Sequence, residues 1–226
     1  GAATAYWLST EATAITESNQ TFGQLALAPK NLGAYTELSR QPMLQSTPAA
    51  EALVMNDFAK VLALAIDLAA FEGSGASGQP TGISATAGIG SVTGTTIAYA
   101  GVLEFQTDTA AGNALTESSA YVTTPAVAAL LSQRQRFAST DSPLWVGSVL
   151  DGQMAGYRAT TTTAVTAASM VFGDFSQVVI GEWGMLEIAL NPYASFAAAI
   201  TGIRAIQSVD VGIRQAAAFS RATSIT

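Results

Sequence analysis

The feature that most constrains the fold is a run of 24 residues without glycine or proline, from Ala49 to Glu72. Thr47 suits a helix cap, Pro48 suits the first helical position, and Gly73 ends the run. At 1.5 Å per residue the pattern predicts a helix about 36 Å long. The residues at helical spacing are Leu53, Asp57 with Phe58, Val61, Leu64 with Ala65, and Leu68.

The segment before this helix has the alternation of extended chain. Phe22, Leu25, Leu27, Leu32 and Tyr35 stand among small and polar residues, and "TEATAITESNQ" forms a polar link. The pattern of residues 1–40 predicts a long two-stranded ribbon. An isolated ribbon is marginally stable in water, so we expect it to lie on another surface, with neighbouring subunits as the natural candidate.

The rest of the chain predicts an α+β protein. Gly73–Gly82 is read as a turn-rich loop, since it follows a helix and lacks the lysine of a phosphate-binding loop. The predicted helices are Tyr99–Thr109 and a segment from Pro125 to Phe137 capped by Thr124. The predicted strands are Val178–Gly181 and Met185–Leu190, joined through Glu182, Trp183 and Gly184, and a final segment through Val209, Val211 and Ile213.

Charge is scarce. Charged residues make up 11% of the chain and hydrophobic residues 49%, with a mean hydropathy of +0.34, against roughly 25% charged residues in ordinary soluble proteins. Burial of surface against copies of the same chain is one physical answer. The apolar stretches are too short or too interrupted to predict a membrane span. The net charge of −7, without a basic stripe, argues against specific nucleic-acid binding.

Side-chain chemistry argues against an enzyme and predicts no cofactor. The chain has no Cys and no His, which excludes thiolate nucleophiles, histidine bases and Cys/His zinc sites. Glu182 and Glu187 are read as solvated acids, and Asp174 and Asp210 as hydrogen-bonding turn or sheet residues rather than metal ligands. A β-rich hydrolase that uses carboxylates, and an adhesin or tail component, remain as alternatives of other classes.

Five phrases in order resemble the major capsid proteins of tailed bacteriophages, whose fold is shared with encapsulins and the floor of herpesvirus capsids. They are "TFGQLALAPKNLGAYTELSR", "FEGSGASGQPTGI", "MAGYRATTTTAV", "VFGDFSQVVIGEWGMLEI" and "IRAIQSVDVGIRQAAAFSRAT", and they cover almost all of residues 18–224. The scaffolding-like N-terminal region of the family is not among them, and a chain that begins with Gly1 fits a processed or trimmed protein.

The resemblance implies the fold and the domains. We expect an extended β-ribbon loop over residues 1–36, and a peripheral domain over 37–114 that includes a spine helix at 47–72. An axial domain is expected over 115–195, and return strands to the peripheral domain over 196–226.

The resemblance also implies a function. We expect a subunit that self-assembles into hexamers and pentamers of an icosahedral phage head around double-stranded DNA, held non-specifically in the virion. Assembly in the host cytoplasm, with scaffold, maturation protease, portal and decoration proteins as further partners, follows from the same likeness. An encapsulin-like shell or a gene-transfer particle is the alternative.

The last expectation concerns the residues that contact neighbouring subunits. Family members that cross-link their subunits use a lysine on the extended loop, whereas this loop has none, so Lys30 and Lys60 are read as ordinary surface residues. Arginine pairs well with carboxylates of a neighbour because its fork allows two hydrogen bonds. The candidate contacts between subunits are Phe22, Arg40, Arg134, Arg136, Arg204 and Arg214.

Overall fold

Two β-sheets and one long helix organise the chain. The structure is a computed structural model that describes residues 3–7, 14, 17–19, 23–39, 49–139, 142–195, 198 and 200–226. The smaller sheet has the order β1-β9-β8, and the larger has the order β2-β10-β7-β3-β6-β5-β4. This mixed α+β architecture agrees with the fold class predicted from the sequence.

The bounds of the elements are as follows. The helices are α1 (Ala49–Glu72), α2 (Tyr99–Ala111) and α3 (Pro125–Gln133). The strands are β1 (Lys30–Ser39), β2 (Gly90–Thr93), β3 (Ala120–Thr123), β4 (Val146–Gly147), β5 (Asp151–Met154), β6 (Tyr157–Thr161), β7 (Met170–Gly173), β8 (Val178–Ser195), β9 (Ile200–Ile213) and β10 (Phe219–Thr223).

The predicted long helix is confirmed as α1, which packs on the three-stranded sheet. Phe58 and Leu62, four residues apart on one helix face, are buried against Ile203 and Ala205 of β9. Thr47 and Pro48, the predicted cap and first residue, lie outside the described residues. The opposite face of this sheet is called the outer face below.

The seven-stranded sheet holds the main core. Tyr121 of β3 and Phe172 of β7 lie side by side, with ring centroids 4.3 Å apart, and Phe105 of α2 packs edge-to-face on Tyr121. Leu131 of α3 joins the same cluster. The second predicted helix is confirmed as α2, which extends two residues past Thr109.

The third predicted helix is shorter than expected. It begins at Pro125 as predicted but ends at Gln133, because the chain turns extended at Arg134 and pairs Gln135 with Pro143. Phe137 lies beyond the helix and packs edge-to-face on Tyr99, at a centroid distance of 5.6 Å. The bridge to Pro143 thus overrides the apolar periodicity that suggested a longer helix.

One strand prediction needs correction. The strands predicted at 178–181 and 185–190 are one strand, β8, in which residues 184–186 bulge opposite Gln207 and pairing with β9 resumes at Glu187. Gly184 has φ +76°, so the glycine that suggested a turn serves the bulge.

The ribbon predicted for residues 1–40 is only partly covered by the described residues. Within that part, Thr4 N donates to Ser18 Oγ at 3.0 Å, and β1 pairs antiparallel with β9 over its whole length. Whether residues 1–29 form a two-stranded ribbon stays a prediction.

Sheet membership does not follow the predicted domain boundaries. β8 was expected in the axial domain, but it belongs to the small sheet with β1 and β9. β2 and β10 were expected in the peripheral domain and its return strands, but they belong to the large sheet. Whether the two sheets act as axial and peripheral domains stays a prediction.

Two adjacent chain crossings join the sheets. Residues 174–177 connect β7 to β8, and residues 214–218 connect β9 to β10. The crossings bond to each other, because Asp174 N donates to Ala218 O at 3.2 Å and Arg214 N donates to Gln177 O at 2.9 Å. The two sheets are therefore linked by one double-stranded connection that lacks regular strand structure.

The last turn of α1 is the third link between the sheets. Both carboxylate oxygens of Glu72 accept from Arg221 Nη2 of β10 at 3.2 Å, and Oε1 also accepts from Thr166 N at 3.0 Å. Beyond it the chain closes the predicted turn with a bond from Gly82 N to Gly73 O. An added Cβ on Gly73 would lie 2.3 Å from Pro80 O, so this close approach requires glycine.

We predict that Glu72→Gln lowers the free energy of unfolding by roughly 1–3 kcal/mol, the usual effect of losing hydrogen bonds to a charged group. The side chains of Glu72 and Arg221 are only 15% and 19% exposed, so the loss leaves a sheltered guanidinium without its anion. Urea unfolding of the unassembled subunit measures this.

Asp151→Asn is the matched control, because its ion pair with Arg158 is largely exposed. It should leave the unfolding midpoint unchanged. Equal losses in the two variants would contradict a structural role for the Glu72–Arg221 pair.

Candidate subunit-contact site

The outward side of α1 carries an apolar stripe. Leu53, Val61, Leu64 and Leu68 are 70%, 48%, 60% and 51% exposed. Of the apolar residues that the sequence places at helical spacing on this helix, Phe58 alone is among the buried core residues. The helix is apolar on both sides, so periodicity identified the stripe without telling which face meets the core. A row of large exposed side chains of this kind marks a contact surface.

The extended N-terminal segment exposes aromatic side chains. Tyr6 is 47% exposed, and Trp7 is fully exposed at 103%. Residues 3–7 have no regular secondary structure. Aromatic side chains are depleted from free surfaces and enriched in the buried centres of interfaces, so Trp7 is a candidate anchor for another surface.

Two of the predicted arginine contacts are used inside the chain. Arg134 Nη1 donates to Ile97 O at 2.6 Å. The guanidinium of Arg136 lies 4.9 Å from the ring centroid of Tyr99. Both arginines therefore hold the segment after α3 against the beginning of α2.

The remaining candidates differ in their surroundings. Arg204 lies 3.6 Å from Glu187 in an exposed ion pair across β8 and β9. Arg214 is exposed, and its side chain has no partner among the residues that the structure describes. Phe22 and Arg40 lie outside the described residues. No contact between subunits is tested for any of these residues, so that role stays a prediction.

The buried carboxylates have hydrogen-bonding roles, as predicted. Asp174 accepts from Ser176 N at 3.0 Å and from Ser118 Oγ at 3.2 Å. Burial raises the pKa of Asp174, but these hydrogen bonds outweigh it and hold the pKa below its usual value. Glu182 and Glu187, which the sequence placed across a turn, lie exposed on one strand.

Within the described ranges, no group of three or more acidic, Cys or His side chains is placed to hold a metal ion. None of the helices in that part of the chain is long and apolar enough to cross a membrane.

Lys30 is less free than the sequence suggested. Its Nζ lies 3.1 Å from Asp210 Oδ1, and its side chain is 27% exposed, whereas Lys60 is exposed on α1. The ion pair holds the Lys30 side chain against Asp210, inside its own subunit, and so away from a neighbour.

We therefore predict that particles of this protein, boiled in denaturant, migrate as a 23.1 kDa monomer on a gel. A ladder of covalent oligomers that persists after denaturation would show that a lysine forms cross-links. The control is Lys30→Arg, which removes the amine and should give the same gel as the parent chain.

The comparisons with known proteins give the class. Residues 1–223 match the family described as the phage capsid family, and the chain belongs to that family. The major capsid protein of Halomonas phage phiHAP-1 is 28% identical over 216 residues, which are 95% of this chain and 35% of that protein. The chain thus spans about a third of the length of this curated relative.

Solved structures agree on the fold. The capsid of the native GTA particle matches with a TM-score of 0.77 at 20% identity, over 98% of this chain and 81% of that one. A structure from Mycobacterium phage Ogopogo matches with a TM-score of 0.71 at 20% identity, over 98% of this chain and 84% of that one. At such identities the likeness establishes the phage-capsid fold.

Proposed function

We propose that this chain is a structural subunit that self-assembles into hexamers and pentamers of an icosahedral phage head enclosing double-stranded DNA. It has no catalytic role in this proposal. Membership of the phage capsid family supports the shell. The observation that carries the proposal is the apolar stripe of Leu53, Val61, Leu64 and Leu68 on α1, which stays exposed in the part of the chain that the structure describes.

The proposed occupant of the stripe is the N-terminal segment of a neighbouring copy. Residues 1–36 act as the extended loop, whose end is anchored on its own sheet through β1, and the exposed Tyr6 and Trp7 supply the apolar surface that meets the neighbour. Each contact of this kind is small. Repetition around a closed shell multiplies small contacts into a stable assembly.

The proposed domains follow the sheets. The seven-stranded sheet with α2 and α3 serves as the axial domain, which gathers around the symmetry axes. The three-stranded sheet with α1 serves as the peripheral domain. This assignment is supported by the separate cores of the two sheets, since Tyr121 and Phe172 lie in one cluster and Phe58 and Leu62 in another.

The proposed cargo is double-stranded DNA without sequence recognition. A net charge of −7 suits a wall that encloses a polyanion without binding it tightly. Assembly in the host cytoplasm, with scaffold, maturation protease, portal and decoration proteins, belongs to the same proposal.

A gene-transfer particle is the second candidate, because the capsid of a GTA particle shares the fold. Particle diameter by electron microscopy and the length of the enclosed nucleic acid distinguish the two. An encapsulin-like shell would contain protein cargo instead.

We predict that purified protein forms closed shells by electron microscopy and that Leu64→Glu reduces their yield at least about tenfold. A carboxylate in a desolvated contact costs several kcal/mol, whereas on a free surface it costs little. The matched control is Asn56→Glu, which adds the same charge at another exposed position of α1.

Asn56→Glu should assemble like the parent chain. Normal shells from Leu64→Glu would refute the role of the stripe. A parent chain that sediments only as a monomer or small oligomer would refute the shell itself.

Arg214→Ala should impair assembly more than folding, because the Arg214 side chain is exposed and unpaired among the described residues. We expect an unchanged unfolding midpoint and a reduced yield of shells by sedimentation. Arg158→Ala is the control, since Arg158 is also exposed but already pairs with Asp151. Normal shells from Arg214→Ala would remove this residue from the interface.

A further inference from the structure

The segment just before β1 lies across the outer face of the three-stranded sheet. Residues 23–29 have no regular secondary structure, yet Leu25 and Leu27 rest directly on the sheet. A Cβ added to Gly212 of β9 would lie 2.7 Å from Leu27 Cδ2 and 2.9 Å from Leu25 Cδ2. A Cβ added to Gly181 of β8 would lie 3.1 Å from Leu27 Cδ1.

The pairing register explains why the two leucines can lie so close to the sheet. Gly181 lies opposite Asp210, and Gly212 is two residues further along β9. Side chains alternate between the faces of a strand and cross-strand partners share a face, so Gly181, Asp210 and Gly212 occupy the same face. Two positions without side chains beside one carboxylate leave a shallow depression for the leucines.

Asp210 holds the segment by hydrogen bonds. Asp210 is 5% exposed, and its carboxylate accepts from Ala28 N at 2.9 Å, Lys30 Nζ at 3.1 Å and Val211 N at 2.9 Å. Ala28 belongs to the segment, and Lys30 follows it as the first residue of β1. A buried carboxylate without donors is strongly destabilised. These hydrogen bonds therefore favour the arrangement in which the segment lies on the sheet.

The lowered pKa of Asp210 means that its carboxylate keeps these hydrogen bonds at neutral pH. Burial raises its pKa, but the donors Ala28 N, Lys30 and Val211 N outweigh burial, so the pKa lies below its usual value of 3.8. A lowered pKa contributes stability above that usual value, and the contribution is lost only as the pH falls further.

We propose that residues 23–30 form a clasp on the outer face, with Asp210 as the positioning residue, which fixes the direction of the chain at Gly23. Leu25 and Leu27 are held by their contacts with the sheet, and Ala28 and Lys30 are held by Asp210, so the segment is fixed along its length. The neighbour contact it serves rests on the proposed function above.

The clasp has a direct test in the unassembled subunit. Thermolysin cuts on the N-terminal side of leucine, so opening the clasp exposes the bonds before Leu25 and Leu27. Gly212→Val and Asp210→Asn should raise cleavage there about tenfold or more, which corresponds to about 1.4 kcal/mol of local opening. Mass spectrometry of the fragments identifies the bonds.

Two controls make the result specific. Gly23→Val adds the same side chain within the segment where a Cβ meets nothing within 4 Å, so it should cleave like the parent chain. Asp151→Asn removes an exposed carboxylate and should have no effect. Equal acceleration of cleavage in the core strands β3 and β7 would mean general unfolding and would overturn the clasp, as would unchanged cleavage at Leu25 and Leu27.

The assembly readout separates the clasp from the shell. We expect Gly212→Val and Asp210→Asn to yield few closed shells while keeping the circular dichroism spectrum of the parent, and Gly23→Val to assemble normally. An open clasp with normal shells would overturn its positioning role. If the parent chain forms no shells, the proposed function fails, and the proteolysis still decides whether the clasp exists.

Discussion

The structure depends on α1 serving two sheets at once. Its buried side, with Phe58 and Leu62, covers one face of the three-stranded sheet. Its last turn binds the seven-stranded sheet through Glu72 and Arg221, with the Gly73 turn pressed against it. The direction of the helix is thereby fixed at its middle and at its last turn, and these contacts also set the direction in which the outward stripe faces.

Much of the fold could be predicted, because local rules decide it. The long helix, the helix that begins at Pro125 and the alternation of the last strands follow from periodicity and from helix-terminating residues. The buried side of α1 could not be predicted, since Leu62 and Leu64 are equally apolar and both recur at helical spacing. The partner of β1 also escaped prediction, because Lys30 pairs with Val209 far along the chain.

The candidate site could likewise be predicted only in part. Composition indicated burial of surface against other copies as one physical answer to the scarcity of charge, but it could not tell which arginines are engaged inside the subunit. Arg134 and Arg136 meet their partners, Ile97 just ahead of α2 and Tyr99 at its first residue, only after the chain folds. The clasp left a readable signal, since glycine at 181 and 212 removes side chains from strands that otherwise favour bulky residues. Its meaning required the pairing of Gly181 with Asp210.

The double crossing between the sheets has a mechanical consequence. Residues 174–177 and 214–218 separate the short β7–β10 pair from the long β8–β9 pair at the same level. Two backbone hydrogen bonds and the packed rings of Phe71, Phe175 and Phe219 hold this junction together. Because the strand ladders stop there, the angle between the two sheets is set by this junction and by the end of α1 rather than by continuous strand pairing.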